Sequence, residues 1–276
     1  MVSGADKLRT IRKALAEAGV FDPAFEAKEI IREYTGRPMP LIGDINEAEE
    51  TAIDEAVSRR LEGEPLQYIF GKWEFYGLPF LVGEGVLIPR PETELLVDIA
   101  AKRLGKGSTV LDLFSGTGCI PISIAKTVGA KCYAVELYDA AFGYLTRNIA
   151  LNSADVTAVR ADALDGTLFG DMRFDAIFAN PPYVTEAEMR ELPANVRREP
   201  ETALFGGRDG LDPYRAMIPA WAGRLKDNGF MAVETGETQG EAVSAIMREN
   251  GLLPEIVRDY SGHDRVVVGE RFCGNM

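Results

Sequence analysis

The sequence predicts an α/β fold in which a mostly parallel β-sheet is covered by helices and preceded by a small helical domain. From Ser108 onward, short apolar runs alternate with amphipathic segments, which is typical of parallel strands joined by helices. Residues 1–70 carry helical periodicity, and residues 67–89 are rich in aromatic and β-branched residues broken by Gly, which indicates a β-hairpin. We therefore expect an N-terminal helical domain at 1–70, a hairpin linker at 71–90 and a large domain at 91–276.

The N-terminal domain is predicted to contain three helices. Apolar residues recur at helical spacing in three segments that are separated by Gly or Pro, namely DKLRTIRKALAEAG, AFEAKEIIREYTG and EAEETAIDEAVSRRLEG. In the first of them, Leu8, Ile11 and Leu15 form one stripe. No strand pattern interrupts this region.

The large domain begins with a predicted helix, RPETELLVDIAAKRLG, which has Pro91 in its first turn and acidic residues at its positive end. Strands and helices then alternate. The predicted strands are STVLDLF, KCYAVEL, VTAVRAD, FDAIFAN, GFMAVET and DRVVVGE. The predicted helices are GCIPISIAKTVG, AAFGYLTRNIALN, PYRAMIPAWAGRLK and TQGEAVSAIMRENG.

Composition narrows the class of protein. The chain has 276 residues, is 46% hydrophobic and carries a net charge of −13. An excess of acidic residues lowers the expectation of nucleic-acid binding, because it repels a phosphate backbone. There is no apolar run long enough to cross a membrane, and the charged N-terminus lacks the apolar core of a signal peptide. We expect a cytoplasmic protein that binds neither membranes nor nucleic acid directly.

The residues that commonly hold metals are few and scattered. Cys119, Cys132 and Cys273 show no CxxC spacing and are expected to be reduced thiols. His263 is the single histidine and is expected to form hydrogen bonds in a loop rather than act as a base. We therefore predict no metal site.

A glycine-containing loop indicates a cofactor site. LDLFSGTGC (111–119) joins a predicted strand to a helix, and Gly116 and Gly118 allow close approach of the backbone to a ligand at the helix N-terminus. Asp112 in the same strand either braces this loop or touches the ligand. Glu136 ends the next strand, 18 positions after Gly118, near the spacing at which a carboxylate meets ribose hydroxyls.

The loop also discriminates between cofactors. Phe114 stands where a GxGxxG motif would have its first Gly, and the chain contains no GxxxxGK[ST] motif. Both observations disfavour a pyrophosphate-bearing ligand. S-adenosylmethionine, which needs a glycine turn and a grip on its ribose, fits the pattern best.

FANPPYV (178–184) follows a strand and is suited to binding a planar group that carries an NH₂. Pro181 and Pro182 lack backbone N–H donors, so the stretch presents mainly carbonyl acceptors. Asn180 adds a side-chain acceptor, and Tyr183 adds a flat aromatic face. A rigid turn without a binding role is the alternative interpretation.

Taken in order, these motifs resemble those of the HemK/PrmC family, the protein-(glutamine-N5) methyltransferases that modify peptide chain release factors. The resemblance covers nearly the full length. It is carried by QYIFGKWEFYGLPF, VLIPRPETELLV, LDLFSGTGCI, AVELYDAAFGYLTRNIALN, ANPPYV, EPETALFGGRDGLDPYR and GHDRVV. NPPY alone is shared with adenine methyltransferases, whereas the IPRPETE and EPETALFGG segments are more discriminating.

The resemblance implies a class I S-adenosylmethionine-dependent methyltransferase with a Rossmann-like, mostly parallel seven-stranded sheet. It implies methyl transfer to the glutamine of the release factor GGQ motif, with S-adenosylhomocysteine as product, and an N-terminal domain that helps to bind the release factor. We expect a monomer. The implied cofactor-binding residues are Phe114, Ser115, Gly116, Thr117, Gly118, Glu136, Asn180 and one or both of Asp162 and Ala163. The implied substrate-binding residues are Asn180, Pro181, Pro182 and Tyr183, of which Asn180, Pro181 and Tyr183 are the catalytic candidates.

The same motifs could serve two other functions. An adenine-N6 methyltransferase acting on DNA or RNA would use the same NPPY acceptors, but it would also need a basic recognition surface. A non-catalytic cofactor-binding scaffold is the other, and the intact Asn180 and Tyr183 argue against it. Arg90 and Glu92 either frame a helix start or serve the site, and Glu199–Glu201 is either a solvated loop or a lid over the substrate.

Overall fold

The computed structural model describes residues 2–38 and 43–271, which form two compact units. The smaller unit comprises Met1–Gly71 and Ala194–Arg198, and the larger comprises Lys72–Pro193 and Glu199–Met276. The hairpin that follows the helical region therefore groups with the larger unit. None of the helices within the described ranges is long and apolar enough to cross a membrane.

The smaller unit is helical. Asp22 caps the second helix by accepting a hydrogen bond from the Phe25 backbone N–H at 3.0 Å, and Asn46 and Glu49 form a capping box at the third. Its helices are α1 (Gly4–Glu17), α2 (Pro23–Thr35), α3 (Glu47–Leu61) and α4 (Leu66–Phe70). Its apolar core includes the fully buried Leu15, Ile30, Ile31, Ile45 and Ile53.

Two details of this unit differ from the sequence prediction. A two-stranded antiparallel pair, β1 (Val2–Ser3) and β2 (Asp44–Ile45), lies within the region predicted to be helical throughout. Strands of two residues are too short to show an alternating pattern. In addition, Leu66–Phe70 forms α4, whereas the sequence placed Gln67–Phe70 in the hairpin. A left-handed Gly71 ends this helix, and the hairpin starts only after it.

The larger unit begins with the hairpin, in which β3 (Lys72–Phe75) pairs antiparallel with β4 (Leu78–Leu81). The turn is made by Tyr76 and Gly77, which both have positive φ. Phe75 and Phe80 are buried and meet edge to face, with ring centroids 6.1 Å apart. Their burial anchors the hairpin in the core of the larger unit.

A seven-stranded, mostly parallel sheet forms the centre of the larger unit, as predicted. Its strand order is β10-β11-β9-β8-β5-β6-β7. The strands β5 to β9 run parallel, and β11 is antiparallel to both of its neighbours. The strands are β5 (Thr109–Leu113), β6 (Lys131–Glu136), β7 (Val156–Arg160), β8 (Phe174–Ala179), β9 (Leu225–Glu234), β10 (Leu252–Arg258) and β11 (Asp264–Arg271).

Two strands of the sheet differ from the sequence prediction, since β10 was not predicted and β9 begins earlier than expected. The edge strand β10 contains Pro254, which removes a backbone donor and interrupts the strand pattern, although an edge position tolerates it. The predicted helix PYRAMIPAWAGRLK ends at Ala222, and β9 begins at Leu225, earlier than predicted.

Helices cover both faces of the sheet. On one face, α5, α6 and the hairpin pack against sheet residues such as Phe178 and Val268. On the other face, α10 and α9, which carries Trp221, pack against sheet residues such as Phe174. The helices are α5 (Glu94–Arg103), α6 (Cys119–Val128), α7 (Asp139–Asn152), α8 (Glu186–Met189), α9 (Asp212–Ala222) and α10 (Gly240–Glu249). Short 3₁₀ turns occur at Pro91–Thr93 and Glu201–Ala203.

One buried side chain joins the hairpin to the glycine-containing loop. Asn148 on α7 accepts a hydrogen bond from the Leu81 N–H at 2.7 Å and donates to the Leu81 carbonyl at 3.1 Å. It also donates to the Thr117 carbonyl at 2.9 Å. Because Asn148 is fully buried, water does not replace these bonds if they are lost. Asn148 thus fixes the position of the loop relative to the hairpin.

Asn148→Ala is expected to lower the free energy of unfolding by about 3 kcal/mol, since it leaves three backbone groups of Leu81 and Thr117 without this partner. Chemical denaturation monitored by circular dichroism measures the change. Thr146→Ala on the same helix is the control, and its exposed position predicts a change below about 0.5 kcal/mol. Equal effects of the two substitutions would contradict the role of Asn148.

Candidate active site

A cavity of about 720 Å³ lies at the carboxyl ends of four parallel strands. Phe114 follows β5, Glu136 ends β6, Asp162 follows β7 and Asn180 follows β8, and all four line the cavity. Ligands in open α/β sheets bind at this edge, where the loops after successive strands meet. The sheet topology therefore brings together motifs that are far apart in the sequence.

The glycine-containing loop forms one wall of the cavity. Phe114, Gly116 and Gly118 all have positive φ, of 59°, 54° and 80°. Gly118 suits this position because of its positive φ, and a Cβ atom there would lie 2.5 Å from Leu145 Cδ1, so a larger residue would require the Leu145 side chain to shift. Helix α6 starts at the next residue, and its first N–H groups lie at this end of the sheet. Phe114 keeps the left-handed backbone although it has a side chain, and that side chain packs against the core.

Glu136 is held in a fixed orientation beside this loop. Its Oε2 accepts a hydrogen bond from the Gly116 N–H at 2.8 Å, and its Oε1 accepts one from the Tyr138 N–H at 2.9 Å. Each carboxylate oxygen has a second lone pair, so two further acceptor positions remain available. The carboxylate is buried and lines the cavity. It is thus preorganised to accept hydrogen bonds from a pair of hydroxyls.

A second carboxyl group, Asp112, is buried behind the loop. Neither of its oxygens has a hydrogen-bond partner among the described residues. Burial raises the pKa of Asp112 well above its usual range, and the nearby charge of Glu136 also raises it. Burial thus favours the neutral, protonated form of Asp112 over the charged one.

The NPPY segment contributes two of its four residues to the cavity. Asn180 and Pro182 line it, whereas Pro181 and Tyr183 do not. The Tyr183 hydroxyl donates to Glu234 Oε1 at 3.3 Å, and its backbone carbonyl accepts from Gln239 Nε2 at 3.0 Å. The proposed stacking of a substrate amide on the Tyr183 ring therefore stays a prediction.

The predicted cofactor residues are almost all at the cavity. The structure places Phe114, Ser115, Gly116, Thr117, Glu136, Asp162, Ala163 and Asn180 in its lining. Gly118 lies outside the lining and makes room for α7. The sequence did not identify Leu137, Tyr138 or Leu164, which also line the cavity. Leu137 and Leu164 directly follow predicted site residues, and this adjacency was the available signal.

Two buried residues that the sequence analysis did not single out lie behind Asn180. Asn180 Nδ2 donates to Thr93 Oγ1 at 3.2 Å, and Thr93 Oγ1 donates to Glu234 Oε2 at 2.6 Å. Thr93 is 2% exposed and Glu234 is 1% exposed. The three residues come from the NPPY loop, the 3₁₀ turn before α5 and the end of β9.

An ion pair between the buried Glu199 and the partly exposed Arg90 holds a segment that lines the cavity. Glu199 pairs with Arg90 and accepts a hydrogen bond from the Ile88 N–H at 2.9 Å. Of the candidate lid Glu199–Glu201, Glu199 thus braces the segment, and only the residues after it line the cavity. Val184 and Phe205 form a parallel bridge. A Cβ atom at Gly206 would lie 2.6 Å from the Pro182 carbonyl oxygen, so the segment lies directly against NPPY.

The histidine and the cysteines lie apart from this arrangement, with one exception. His263 is exposed, faces Glu237 at 3.4 Å and does not line the cavity. Cys119 and Cys132 are buried free thiols, and Cys119 lines the cavity. Burial raises the pKa of Cys119 to about 12, so this thiol is not a nucleophile at neutral pH. Cys273 lies outside the described residues.

The fold agrees with that of known methyltransferases. A methyltransferase from Pyrococcus furiosus superimposes with a TM-score of 0.55 at 18% identity, over 79% of this chain and 99% of its own. The 16S rRNA N2 G1207 methyltransferase of Thermus thermophilus, solved with AdoMet and guanosine, gives 0.51 at 19% identity, over 72% of this chain and 49% of its own. Residues 97–200 match the TRM5/TYW2 methyltransferase domain. Fold and sheet edge together define a class I methyltransferase.

Relatives that match nearly the whole chain identify the family within this class. A release factor glutamine methyltransferase from Geobacter sulfurreducens is 38% identical over 94% of this chain and 96% of its own length. One from Moorella thermoacetica is 37% identical over 95% and 99%, and residues 6–71 match the PrmC N-terminal domain. The chain belongs to the release factor glutamine methyltransferase family, as the motif resemblance predicted.

The buried carboxyl group of Glu234 is expected to make the free energy of unfolding depend on pH. Burial raises its pKa from 4.5 to about 7, while the hydrogen bond from Thr93 and the charge of Arg265 oppose the increase. A carboxyl whose pKa is raised by folding holds more protons in the folded state between these values. The free energy of unfolding therefore falls as the pH rises through this window.

Glu234→Gln removes this titration. Between pH 4.5 and pH 7, the wild type is expected to lose up to about 3 kcal/mol of stability relative to this variant. Urea denaturation of both proteins across this range measures the difference. Glu241→Gln, at an exposed position of α10, controls for the loss of one negative charge. Parallel stability curves for the wild type and Glu234→Gln would contradict a buried, titrating Glu234.

Proposed function

We propose that this protein transfers the methyl group of S-adenosylmethionine to the side-chain amide nitrogen of the glutamine in the GGQ motif of peptide chain release factors. The observation that carries the proposal is one cavity that combines the Glu136-braced glycine loop with the Asn180 side chain. Relatives named as release factor glutamine methyltransferases, similar over nearly the whole chain, support the substrate class.

The residues of the cavity fit this cofactor. Residues 114–117 of the glycine-containing loop line the space that a nucleoside would fill. Glu136 has two free acceptor positions for ribose hydroxyls. The exposed Asp162 and the buried Ala163 also line the cavity and would contact the adenine ring. Of the buried carboxyl groups near the loop, Glu136 lines the cavity, and its carboxylate favours a ligand with positive charge. When bound, S-adenosylmethionine supplies an electrophilic methyl group on a sulfonium.

Asn180 and Pro181 would orient the target nitrogen. An amide nitrogen is a poor nucleophile because its lone pair is delocalised into the carbonyl group. If Asn180 Oδ1 and the Pro181 carbonyl oxygen accept its two N–H bonds, the lone pair is directed toward the methyl group. Both acceptors bind more strongly as the nitrogen becomes positive, so they stabilise the transition state more than the ground state. The nitrogen would gain the methyl group as the S–CH₃ bond of the cofactor breaks, with S-adenosylhomocysteine as the leaving group, and it would release one of its two N–H protons.

We further propose that the smaller unit binds the release factor rather than the cofactor. The residues that line the cavity lie between Gly85 and Ala216, outside the helical segment up to Gly71. Phe21 is fully exposed in this unit, and Phe25 is also exposed. Exposed aromatic side chains are frequent in surfaces that bind other proteins.

Glu136→Ala is expected to weaken the binding of S-adenosylhomocysteine by about 1.5–3 kcal/mol, the range for hydrogen bonds to a charged group. Isothermal titration calorimetry measures the affinity. Glu84→Ala, at an exposed position outside the cavity lining, is the matched control and should bind as the wild type does. If both variants bind equally well, Glu136 does not hold the ribose.

Asn180→Ala is expected to reduce kcat by two to three orders of magnitude, the approximate effect of losing one preorganised transition-state hydrogen bond. The substitution creates little cavity volume, so the folded state and the cofactor affinity should be retained. Labelled methyl transfer to purified release factor, with the product mapped by mass spectrometry, gives the rate and the modified atom. A wild-type kcat at saturating cofactor and release factor would exclude Asn180 from catalysis.

A protein limited to residues 72–276 tests the role of the smaller unit. It should bind the cofactor as the full chain does but fail to methylate intact release factor, since it lacks the helical segment up to Gly71 and keeps only Ala194–Arg198 of the smaller unit. In the full chain, Phe21→Ser combined with Phe25→Ser should raise KM for the release factor without changing cofactor affinity. Full activity of the shortened protein would contradict the proposal.

A further inference from the structure

The orientation of the Asn180 amide is set by a directed chain of hydrogen bonds. A threonine hydroxyl has one hydrogen to donate, and the hydroxyl of Thr93 donates to Glu234 Oε2 at 2.6 Å. In its ionised form, the Glu234 carboxylate only accepts hydrogen bonds, so in that form the bond between the two residues is donated by Thr93. Thr93 Oγ1 therefore presents only lone pairs to Asn180, so the group that faces Thr93 is the NH₂ of Asn180, at 3.2 Å.

The other end of the amide is left for the cavity. Asn180 lines the cavity, and its Oδ1 makes no hydrogen bond to any residue within the described ranges. Glu234 is held in turn, because its second oxygen accepts a hydrogen bond from the Tyr183 hydroxyl at 3.3 Å. The burial of Thr93 and Glu234 excludes water that could replace either partner.

We propose that Thr93 and Glu234 are positioning residues that keep the acceptor oxygen of Asn180, and not its NH₂, toward the amide nitrogen of the substrate. This inference rests on the proposed function. A glutamine amide nitrogen brings two N–H donors. An inverted Asn180 would oppose these donors with its own and leave both sets unpaired in a buried site. The Asn180–Thr93–Glu234 chain thus determines whether the site binds a donor or an acceptor.

The first test compares two substitutions of Thr93. Thr93→Val keeps the shape but removes the hydroxyl, and it should lower kcat for methylation of release factor at least tenfold while KM and cofactor affinity change less than threefold. Thr93→Ser keeps the hydroxyl and should restore kcat to within about threefold of the wild type. A wild-type kcat for Val, or a Ser variant as slow as Val, would overturn the role of the hydroxyl.

The second test inverts the chain. Asn180→Asp places a carboxylate against the lone pairs of Thr93 Oγ1, so this single variant should be at least 100-fold slower than the wild type. Adding Glu234→Gln supplies an NH₂ that can donate to Thr93, whose hydrogen is then free to bind Asp at position 180. The double variant should be at least tenfold faster than Asn180→Asp alone, although Glu234→Gln does not accelerate the enzyme that retains Asn180.

The outcomes of this cycle separate the two proposals. If Glu234→Gln changes the rate by the same factor in both backgrounds, the residues do not act through one another, and the positioning role is wrong. If the wild type itself transfers no methyl group to a release factor glutamine, the proposed function fails and this inference fails with it. Circular dichroism and cofactor titration of every variant confirm that the rates compare folded, cofactor-binding proteins.

Discussion

The candidate site depends on the hydrogen bonds that the buried Glu234 accepts. Its two oxygens accept hydrogen bonds from Thr93 and Tyr183, and its backbone carbonyl accepts one from the Tyr214 hydroxyl at 2.7 Å. One residue at the end of β9 therefore joins the turn before α5, the NPPY loop and helix α9. Because it is fully buried, its position is fixed by these partners and not by solvent.

A buried carboxyl group is an unfavourable choice for stability alone. Well-packed apolar residues often stabilise a core as much as buried charges do, since desolvation offsets most of the electrostatic attraction. An apolar residue does not orient a hydrogen bond, because it cannot determine whether a neighbouring group acts as donor or acceptor. At Glu234 the fold retains a titratable group inside its core, next to the NPPY loop.

The sequence predicted the elements whose residues follow one another along the chain. The parallel strands are apolar runs that end in recognisable motifs. The sequence therefore predicted β5, β6 and β8 together with the candidate site residues that follow them. Strand β10 was missed because Pro254 disrupts its pattern, and β1 and β2 are too short to show one.

The contacts that the sequence did not reveal join residues far apart in the chain. Thr93 and Glu234 are 141 positions apart, and Thr93 and Asn180 are 87 apart. Neither periodicity nor local motifs report on such distances, because the pairing is created only when β8 and β9 become neighbours in the sheet. Thr93 lies inside the IPRPETE segment, but nothing in that segment distinguishes its hydroxyl from that of an ordinary helix-start residue.

The ion pair of Arg90 and Glu199 has a consequence for how the protein responds to ionic strength. The Glu199 side chain is 2% exposed and that of Arg90 is 31% exposed, whereas both side chains of the Arg215–Asp209 pair are about half exposed. Dissolved ions screen a partly buried pair less than an exposed one, so salt weakens the attachment of the segment that lines the cavity less than it weakens the surface pairs. A chain with a net charge of −13 meets charged partners at a rate that salt alters strongly. Salt dependence in this protein is therefore expected to report on the encounter with a partner more than on the geometry of the cavity.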